Sequence, residues 1–382
     1  MKDFKKITDF IKGLFPDSEK IPLHAPLFNG NEKKYVIETI DSTYVSSVGS
    51  FVNRFEEMMC EITGAKYAIA IVNGTSALHL SMILAGVEDK DEVLSQSLTF
   101  IATCNAISYL KATPVFIDID KDTLGMSPSS LLNFLEQYAE IKKDGFTYNK
   151  QTGKRIKVCV PMHTFGFPCR IDEISKICKQ YNIVLIEDAA ESIGSYYQEI
   201  HTGLFGLMGT FSFNGNKTVT CGGGGAIITN DAEIARKAKH LSTQAKVSHP
   251  WSFIHDEIGF NYRMPNINAA LACAQLEQLN LFVESKRILA KQYAQLFDQN
   301  NLQYVKEING AKANFWLNTL ILESSEERDM FLEFSNSNGV MSRPVWNLMH
   351  TLPMFENCFK TDLSNSIWIA DRLVNIPSSV RC

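Results

Sequence analysis

A lysine in front of a glycine run is the feature of this sequence with the clearest potential for covalent chemistry. Residues 209–225 read GTFSFNGNKTVTCGGGG, so a short apolar run leads into a polar turn that carries Lys217, and four glycines follow from Gly222. A lysine amine can form a Schiff base with a carbonyl compound, and glycine lets a backbone come close to a ligand. Because most lysines are solvated and many glycine runs are plain loops, this stretch alone is compatible with either interpretation.

A candidate anion site follows the apolar run 66–72, where Asn73-Gly74-Thr75-Ser76 precedes an apolar helical pattern. The free N–H groups at a helix N-terminus, together with the hydroxyls of Thr75 and Ser76, would bind an anion such as phosphate. The alternative is an ordinary helix cap made by a threonine or serine. Neither this run nor the four glycines has the G-x-G-x-x-G pattern of dinucleotide sites.

Acidic residues end another apolar run, which begins at residue 182. Glu187 and Asp188 are its last residues, and Glu191 follows closely. A buried carboxylate needs a partner because its desolvation is costly. A protonated heterocyclic nitrogen would be such a partner, and a salt bridge to a nearby lysine or arginine is the alternative.

An imidazole and an aromatic ring occupy corresponding places after two further apolar runs. His163 follows the run 157–161, and Phe100 follows the run 92–95. Taken singly, such a histidine is more often structural and such a phenylalanine more often part of the core. Taken together, the phosphate cradle, the carboxylate, the aromatic cover and the lysine are the set that pyridoxal phosphate (PLP) requires. In such a set the lysine forms an imine and the carboxylate holds the pyridinium proton.

Alternating strand and helix patterns place these groups at one edge of a sheet. Strands are predicted at 66–72, 92–100, 113–120, 157–166, 182–190, 210–213 and 226–229. Helical patterns at 73–86, 101–110 and 169–181 lie between them. Such an alternation predicts an α/β fold with a mostly parallel sheet that is covered on both faces. In open parallel sheets, ligands bind beyond the carboxyl ends of the strands.

The rest of the chain is predicted to be mainly helical, with a smaller second unit at its end. Further helical patterns lie at 31–42, 51–64, 232–243 and 266–299. The polar segment 136–156 is predicted to be a surface insertion with a hairpin turn near Thr152-Gly153. Residues 300–382 mix a strand pattern at 315–322 with a helix at 325–338, which indicates a small α+β domain.

Composition argues against several classes of protein. The 382 residues are 45% hydrophobic and 21% charged, with a net charge of -5, and there is no basic block that would follow a phosphate backbone. This argues against a nucleic-acid partner. The nine cysteines are odd in number and lack C-x-x-C spacing, which favours free thiols in a reducing compartment and argues against a disulfide framework or a metal site.

The first twenty residues, MKDFKKITDFIKGLFPDSEK, have apolar side chains at helical spacing broken by charges. This pattern predicts an amphipathic helix that packs on the core or on another subunit, with contact to a membrane surface as the alternative. It lacks the features of a signal peptide, and no apolar run approaches the roughly 20 residues that span a bilayer. We therefore expect a cytoplasmic protein without a membrane partner.

Several of these runs resemble the DegT/StrS family of PLP-dependent nucleotide-sugar aminotransferases. In the family's order they are FEEMMCEITGAKYAIAIVNGTSALHL, LTFIATCNAISYLKATPVFIDID, VPMHTFGFP, IEDAAESIG, FSFNGNKTVTCGGGGAIIT and EIGFNYRMPNINAALACAQL. The segment SRPVWNLMHTLPMF at 342–355 matches more loosely. The resemblance implies the aspartate-aminotransferase fold, also called PLP-dependent transferase fold type I. That fold has a large domain with a seven-stranded, mostly parallel sheet and a smaller C-terminal α+β domain.

The resemblance also implies limits for the domains and a homodimer. Residues 1–20 would be an N-terminal arm, 21–262 the PLP-binding domain, and 263–382 a long connecting helix with the small domain. Asn261 would reach the cofactor phosphate of the partner subunit, so the two subunits would share their active sites.

Each matching position receives a role from the resemblance. Lys217 would hold PLP as an imine, and Asp188 would pair with the pyridine nitrogen. The other cofactor-binding positions would be Thr75, Ser76 and Ser212 at the phosphate, Phe100 stacked on the ring, Glu191 near the ring hydroxyl, and His163 close by. Candidates for substrate contacts are Arg263, Arg343 and His350.

Within the family, the chain is most similar to aminotransferases of legionaminic-acid-type pathways. The similar runs are IPLHAPLFNGNEKKYV, DSTYVSSVG, TYNKQTGKRI and RPVWNLMH. The implied reaction aminates a nucleotide-linked 4-keto-6-deoxy-2-acetamido hexose, with glutamate as the amino donor and 2-oxoglutarate as its product. The 4-amino-4,6-dideoxy sugar nucleotide would be a precursor of bacterial surface glycans of the legionaminic acid or bacillosamine type.

Two positions depart from the family pattern, and two other functions stay open. Gly223 replaces the glutamate of the common GEGG run, and Glu191 replaces a glutamine, which alters how the ring hydroxyl is held. One alternative is a PLP-dependent sugar dehydratase of the same family, although those enzymes have histidine where this chain has Lys217. The other is a non-catalytic sensor of PLP or a sugar nucleotide.

Overall fold

The structure is a computed structural model that describes residues 3–46 and 48–381 of the chain. The positions outside this part include two residues of the predicted N-terminal arm and the predicted free thiol of Cys382. The eight described cysteines are all free thiols.

The described residues form twelve α-helices, two 3₁₀ turns and seventeen short or long strands. The α-helices are α1 (Phe4–Leu14), α2 (Glu32–Asp41), α3 (Ser50–Thr63), α4 (Gly74–Leu84), α5 (Ile101–Tyr109), α6 (Pro128–Tyr138), α7 (Ile171–Gln180), α8 (Ala232–Ser242), α9 (Asn266–Leu276), α10 (Leu279–Gln299), α11 (Ser325–Ser337) and α12 (Ser364–Ala370). The 3₁₀ turns are Thr164–Gly166 and Met349–Thr351. The strands are β1 (Tyr67–Ile71), β2 (Glu92–Gln96), β3 (Thr113–Ile117), β4 (Ala139–Ile141), β5 (Thr147–Asn149), β6 (Ile156–Val160), β7 (Val184–Asp188), β8 (Tyr196–Tyr197), β9 (Ile200–His201), β10 (Met208–Ser212), β11 (Gly225–Thr229), β12 (Lys246–Val247), β13 (Ile254–His255), β14 (Ala311–Lys312), β15 (Asn318–Ile321), β16 (Arg343–Pro344) and β17 (Leu373–Ile376).

The main sheet has seven strands in the order β1-β11-β10-β7-β6-β2-β3. Strands β10, β7, β6, β2 and β3 pair in parallel, whereas β11 runs antiparallel to both of its neighbours, β1 and β10. The predicted seven-stranded, mostly parallel sheet is therefore confirmed. The strands end earlier than predicted, at Gln96, Val160 and Asp188, so that the polar groups beyond them lie on loops.

Helices cover both faces of this sheet, as the apolar strands require. Along β1, Ala68 and Ala70 belong to one apolar cluster with residues of α2, α3 and α9. The intervening Ile69 and Ile71 belong to another, with residues of α4, α5 and α8. Successive side chains of a strand point to opposite faces, so helices bury both faces of the sheet. The carboxyl ends of the strands are the part of the sheet that is left accessible to a ligand.

A second, three-stranded sheet, β15-β17-β16, lies in the C-terminal part of the chain. Its core contains Leu320 and Val374 together with Tyr293 of α10 and Phe331 of α11. The amphipathic helix α1 packs here too, through Ile7, Ile11 and other residues of its apolar face. The N-terminal helix therefore contributes to the core of this chain. The domain limits at 20/21 and 262/263 stay predictions.

The structure differs from the predicted elements at three places. The pattern at 266–299 is two helices, α9 and α10, separated by a turn at Glu277 and Gln278. Tyr35 donates a hydrogen bond to the Glu277 side chain at this turn, at 2.7 Å. Helix α6 was not predicted, although Ser127 caps it and Pro128 stands at its first position. In the insertion, β4 and β5 form an additional hairpin, and the predicted turn near Thr152-Gly153 is present. No helix among the described residues is long and apolar enough to cross a membrane.

Candidate active site

A cavity of about 310 Å³ opens beyond the carboxyl ends of β1, β2, β7 and β10. Its wall contains Asn73, Gly74, Thr75, Leu78, Phe100, Ala102, Met162, Asp188, Ala190, Glu191, Ser212, Asn214, Asn216, Lys217, Trp316 and Trp346. The structure thus brings together six of the residues singled out in the sequence, from Thr75 to Lys217, although up to 142 positions separate them in the chain. This is the place where ligands of open parallel sheets bind.

Lys217 lies on the turn after β10, and its side chain forms part of the cavity wall. Its Nζ lies 3.0 Å from Oε1 of Glu191, and it lies 4.0 Å from the centre of the Trp316 ring. The turn itself is closed by a hydrogen bond from the Lys217 N–H to the Asn214 carbonyl. The amine is therefore held in one place by a carboxylate and an aromatic face, and only 12% of the side chain is exposed.

Asp188 ends β7 at the floor of the cavity and is 2% exposed. The Thr103 hydroxyl donates to its Oδ2 at 2.7 Å, and the Ala190 N–H donates to its Oδ1 at 3.2 Å. Within the described residues, no cationic side chain forms an ion pair with it. Burial raises the pKa of Asp188 above its ordinary value, although the hydrogen bond from Thr103 acts in the opposite direction. A protonated ring nitrogen would supply the missing cationic partner.

Glu191 connects the lysine to the loop that contains the 3₁₀ turn Thr164–Gly166. Its Oε2 accepts the N–H of Phe165 at 2.8 Å, and its Oε1 faces Lys217. Phe165 adopts a left-handed conformation, with φ of 56°, which is uncommon for a residue with a side chain. Burial raises the pKa of Glu191 to about 7, against the opposing effect of the positive charge on Lys217. The carboxyl group can therefore exchange a proton near neutral pH.

The phosphate end of the predicted site is built by the start of α4 and the end of β10. Asn73 caps the helix by accepting the Ser76 N–H at 2.8 Å. The N–H groups of Gly74 and Thr75 open the first turn, where the helix itself supplies no acceptor. Ser76 is buried behind Thr75 and does not line the cavity.

Two glycines allow this helix start to lie against the sheet. A Cβ atom on Gly74 would come within 2.8 Å of Cβ of Ser212. One on Gly225 would come within 2.5 Å of the carbonyl carbon of Asn73. The last glycine of the run therefore serves close packing, so that the N–H groups of α4 and the hydroxyl of Ser212 share one concave surface suited to an anion.

The aromatic wall contains two residues that the sequence patterns did not single out. Phe100 lies in the cavity wall as predicted, with its ring 5.9 Å from that of Trp346. Trp346 also packs on Phe165, at 5.0 Å between ring centres. Trp316 and Trp346 come from the C-terminal part of the chain, which places them about 100 positions or more from Lys217 in sequence. Trp346 lies inside the run RPVWNLMH, and this run was the one sequence signal that could have identified it as a site residue.

His163 and His350 lie outside the cavity wall. The ring of His163 is buried on the other face of β7, where its Nε2 lies 3.0 Å from Oε2 of Glu187. Its position follows from the alternation of side chains along a strand, since Glu187 and Asp188 must point to opposite faces. His350 places its Nδ1 2.7 Å from the Ser97 hydroxyl, and burial lowers the pKa of its imidazole.

Asn261, Arg263 and Arg343 also lie away from the cavity within this chain. Asn261 is exposed and forms an isolated antiparallel bridge with Thr243. Arg263 lines a different cleft, together with Asn266 and the loop before α3. Arg343 is exposed and donates to Oδ1 of Asn336 at 3.2 Å. Their predicted contacts with cofactor or substrate stay predictions.

The residues of the cavity fit PLP. Asp188 is a buried carboxylate that lacks a cationic partner among the described residues, Lys217 presents an amine, and the α4 start offers N–H groups beside Ser212. These three features match the ring nitrogen, the aldehyde and the phosphate of the cofactor. The flat aromatic ring of Phe100 would cover its face.

Comparison with known proteins agrees with this geometry. Residues 27–382 match the DegT/DnrJ/EryC1/StrS aminotransferase family. A GDP-perosamine synthase of Escherichia coli is 36% identical over 360 residues, which cover 94% of this chain and 93% of that protein. EpsN of Bacillus subtilis, provisionally named a pyridoxal phosphate-dependent aminotransferase, is 37% identical over 339 residues, or 88% of this chain and 84% of EpsN.

Solved structures share the fold at lower sequence identity. The aminotransferase TlmJ from Streptoalloteichus hindustanus has a TM-score of 0.85 and 24% identity, over 94% of this chain and 93% of that one. PseC of Helicobacter pylori, an aminotransferase involved in the biosynthesis of pseudoaminic acid, has a TM-score of 0.84 and 23% identity over the same shares.

The fold and the cavity together define an aminotransferase of PLP-dependent transferase fold type I. The chain belongs to the DegT/DnrJ/EryC1/StrS aminotransferase family, and its cofactor is PLP. The predicted fold, enzyme class and cofactor are thereby confirmed, together with the family.

Proposed function

We propose that the protein is a nucleotide-sugar 4-aminotransferase. It transfers the amino group of L-glutamate to a nucleotide-linked 4-keto-6-deoxy-2-acetamido hexose and releases the 4-amino-4,6-dideoxy sugar nucleotide. The observation that carries this proposal is the position of the Lys217 amine, 3.0 Å from Glu191 in the same cavity as the buried Asp188. An amine that can move a proton and a buried carboxylate that can pair with the ring nitrogen of the cofactor are what transamination requires of the protein.

Each residue has a defined task in this reaction. PLP, when bound, supplies the electron sink that makes the α-proton of the amino donor acidic. Asp188 would keep a positive charge at the ring nitrogen, and the start of α4 with Ser212 would hold the phosphate. The Nζ of Lys217 would carry the proton away from the α-carbon of the donor in the first half of the reaction, and it would deliver a proton to C4 of the sugar in the second half. Glu191, with a pKa of about 7, holds that amine in place.

The names of the relatives and four sequence runs support the choice of substrate. The E. coli relative is named for a GDP-linked sugar, which supports a nucleotide sugar for this chain. The runs IPLHAPLFNGNEKKYV, DSTYVSSVG, TYNKQTGKRI and RPVWNLMH support the legionaminic-acid type and its 2-acetamido sugar. Of these, RPVWNLMH contributes Trp346 to the cavity wall. The free thiols of the eight described cysteines support a cytoplasmic location.

A homodimer completes the proposal. Trp251, Phe253 and Ile258 are 81%, 83% and 87% exposed, close in sequence to Asn261. Large exposed apolar side chains of this kind support an interaction site. A second copy of the chain that covers them would bring Asn261 toward the neighbouring active site. Size-exclusion chromatography with light scattering should show a dimer.

Product analysis tests the reaction directly. The purified enzyme with PLP and glutamate should convert the UDP-linked or the GDP-linked 4-keto-6-deoxy sugar to a 4-amino sugar nucleotide, detected by mass spectrometry. Assays with and without the 2-acetamido group decide the sugar. Lys217→Ala is the control and should lose both the imine absorbance and turnover. Retention of either by this variant would refute the assignment.

Two alternatives predict different results in the same assay. A sugar dehydratase would release a deoxygenated sugar with no gain of nitrogen. A sensor would bind PLP, but glutamate would not convert the chromophore to the pyridoxamine form. Lys217, where dehydratases of the family have histidine, favours the aminotransferase.

A further inference from the structure

Trp316 is in contact with the amine of Lys217, although nothing in the sequence patterns pointed to it. The Nζ of Lys217 lies 4.0 Å from the centre of the Trp316 ring, and Trp316 is 4% exposed. A cation within about 6 Å of an aromatic centre is attracted by the negative face of the ring, and indole is the strongest of the aromatic side chains in this respect. The ring is thus placed where it acts on charge at the reacting nitrogen.

One hydrogen bond of the ring and two of the main chain hold Trp316 in place. Its Nε1–H donates to the carbonyl of Asn216 at 2.7 Å, immediately before Lys217 in the chain. The main-chain N–H of Trp316 donates to Oδ1 of Asn314 at 2.8 Å, and its carbonyl accepts from Nζ of Lys286 at 3.1 Å. Asn314 and Lys286 are both fully buried. These bonds satisfy the buried polar groups of Trp316, and they hold the residue in one orientation.

One buried amide connects Trp316 to the other group that contacts Lys217. The Nδ2 of Asn314 donates to the carbonyl of Glu191 at 2.9 Å, while its Oδ1 accepts the Trp316 N–H. The carboxylate and the indole that contact the amine are therefore positioned by the same side chain. Both groups that contact the lysine amine are therefore held by hydrogen bonds to one buried side chain.

We propose that Trp316 is a further catalytic residue, whose ring face stabilises positive charge on the Lys217 nitrogen. The same contact keeps that nitrogen at the cavity wall while it carries a proton. The proposal rests on the role proposed above for Lys217 and extends it to a residue of the C-terminal part of the chain.

The ionisable groups that act on Lys217 come from three segments. Glu191 lies 3.0 Å from its Nζ, and Asp188 interacts with its charge from the end of β7. His24, on the segment before α2, also interacts with the charge of Lys217; burial, with smaller effects of Lys286 and Lys217, lowers its pKa well below the usual value, so it is neutral. Trp316→Phe and Trp316→Leu both keep these three groups and both lose the indole N–H bond to Asn216, so a difference between the two variants reports the effect of the aromatic ring face.

The experiment is a pH titration of the visible absorbance of the PLP-loaded enzyme, which reports protonation of the lysine–cofactor imine. Trp316→Leu should move the midpoint to lower pH by about one unit, and Trp316→Phe by about half as much. Trp368→Leu is the matched control, because Trp368 is also a C-terminal tryptophan beside a lysine amine, with Nζ of Lys121 4.4 Å from its ring centre, but it does not line the cavity. Its midpoint should equal that of the wild type.

The outcomes separate this inference from the proposed function. Unchanged midpoints in both Trp316 variants would overturn it, as would an equal shift in Trp368→Leu. Near-ultraviolet circular dichroism verifies folding, and Trp316→Phe carries the test where the leucine variant does not fold. An imine absorbance that persists in Lys217→Ala would instead refute the role of the lysine itself.

Discussion

Two consecutive carboxylates at the end of β7 have opposite environments. Glu187 accepts hydrogen bonds from the N–H groups of Gly203, Phe205 and Gly206 at 2.6–2.9 Å, and it faces His163 at 3.0 Å. Asp188, on the other face of the sheet, accepts one hydroxyl and one longer N–H bond. Both side chains are almost completely buried.

The difference teaches how to tell a structural carboxylate from a functional one. Glu187 has all its hydrogen-bonding capacity satisfied by the chain itself, and it fixes the loop before β10. The carboxylate of Asp188 faces a cavity and has hydrogen-bonding capacity that the chain does not use. Desolvation makes an unpaired charge costly at such a place. Burial alone does not separate the two groups, whereas the number of partners does.

Of the two carboxylates, Asp188 should have the larger effect on catalysis when it is replaced. Asp188→Asn keeps the shape and the contact with Thr103 but removes the charge, so kcat should fall roughly 10²–10³-fold, as when one charge-stabilising group is lost from an active site. Thermal stability of the cofactor-free protein should stay equal or rise, because a buried carboxylate is removed. If the variant unfolds at a lower temperature than the wild type, Asp188 is a structural carboxylate like Glu187.

Glu187→Gln should give the reverse pattern. The amide would direct N–H groups at backbone N–H groups, so the free energy of unfolding should fall by about 3 kcal/mol. The kcat of the folded variant should stay within about twofold of the wild type. Urea unfolding and steady-state kinetics on the same sample measure both, and a large loss of kcat without loss of stability would break the comparison.

Glu191 predicts a pH dependence of stability in the cofactor-free protein. Folding raises the pKa of this carboxyl group from 4.5 to about 7, so the native protein holds a proton that the unfolded chain has released between these values. Stability from this group therefore falls as the pH rises through that window, by roughly 3 kcal/mol in total. Urea titrations at pH 5 and pH 8 measure the free energy of unfolding, and in Glu191→Gln its decline between these two pH values should lack the contribution of this group. Glu61→Gln, at an exposed position of α3, is the control that should keep it.

A smaller loss of activity than in Asp188→Asn should follow from the hydroxyl beside Asp188. Thr103→Val removes the 2.7 Å hydrogen bond to Oδ2 and should lower kcat roughly 10–10²-fold, since a bond to a charged group contributes about 1.5–3 kcal/mol. Thr103→Ser restores the hydroxyl and should recover most of the activity. If valine and serine behave alike, the bond does not contribute to the function of Asp188.

Local sequence patterns predicted the part of the site that lies close to strand ends. The positions of Thr75, Asp188 and Lys217 follow from where apolar runs stop, because parallel strands bring such ends to one edge. The position of His163 could not be obtained in this way, because a strand end does not reveal which face the next side chain takes. A shift of one residue reverses that face.

The C-terminal contribution to the site was outside the reach of local patterns. Trp316 meets Asn216 across 100 positions of sequence, and only the packing of the two sheets brings them together. The reversed direction of β11 was equally hidden, since an apolar run of five residues reads the same in either orientation. The break at Glu277 depends on contacts with α2 and α3, which the helical pattern of 266–299 does not contain.

The placement of β11 has a consequence for the order of folding. Among the described strands of the main sheet, β1 pairs only with β11, which places Tyr67 opposite Thr229. During synthesis β1 must therefore wait for about 160 further residues, roughly 10–30 s at usual elongation rates. Because Gly225 of β11 also docks against Asn73, the anion-binding surface is completed at the same late moment. The cofactor can therefore bind only after β11 has paired with β1. The amount of bound PLP would then measure the fraction of newly made chains that have completed this pairing.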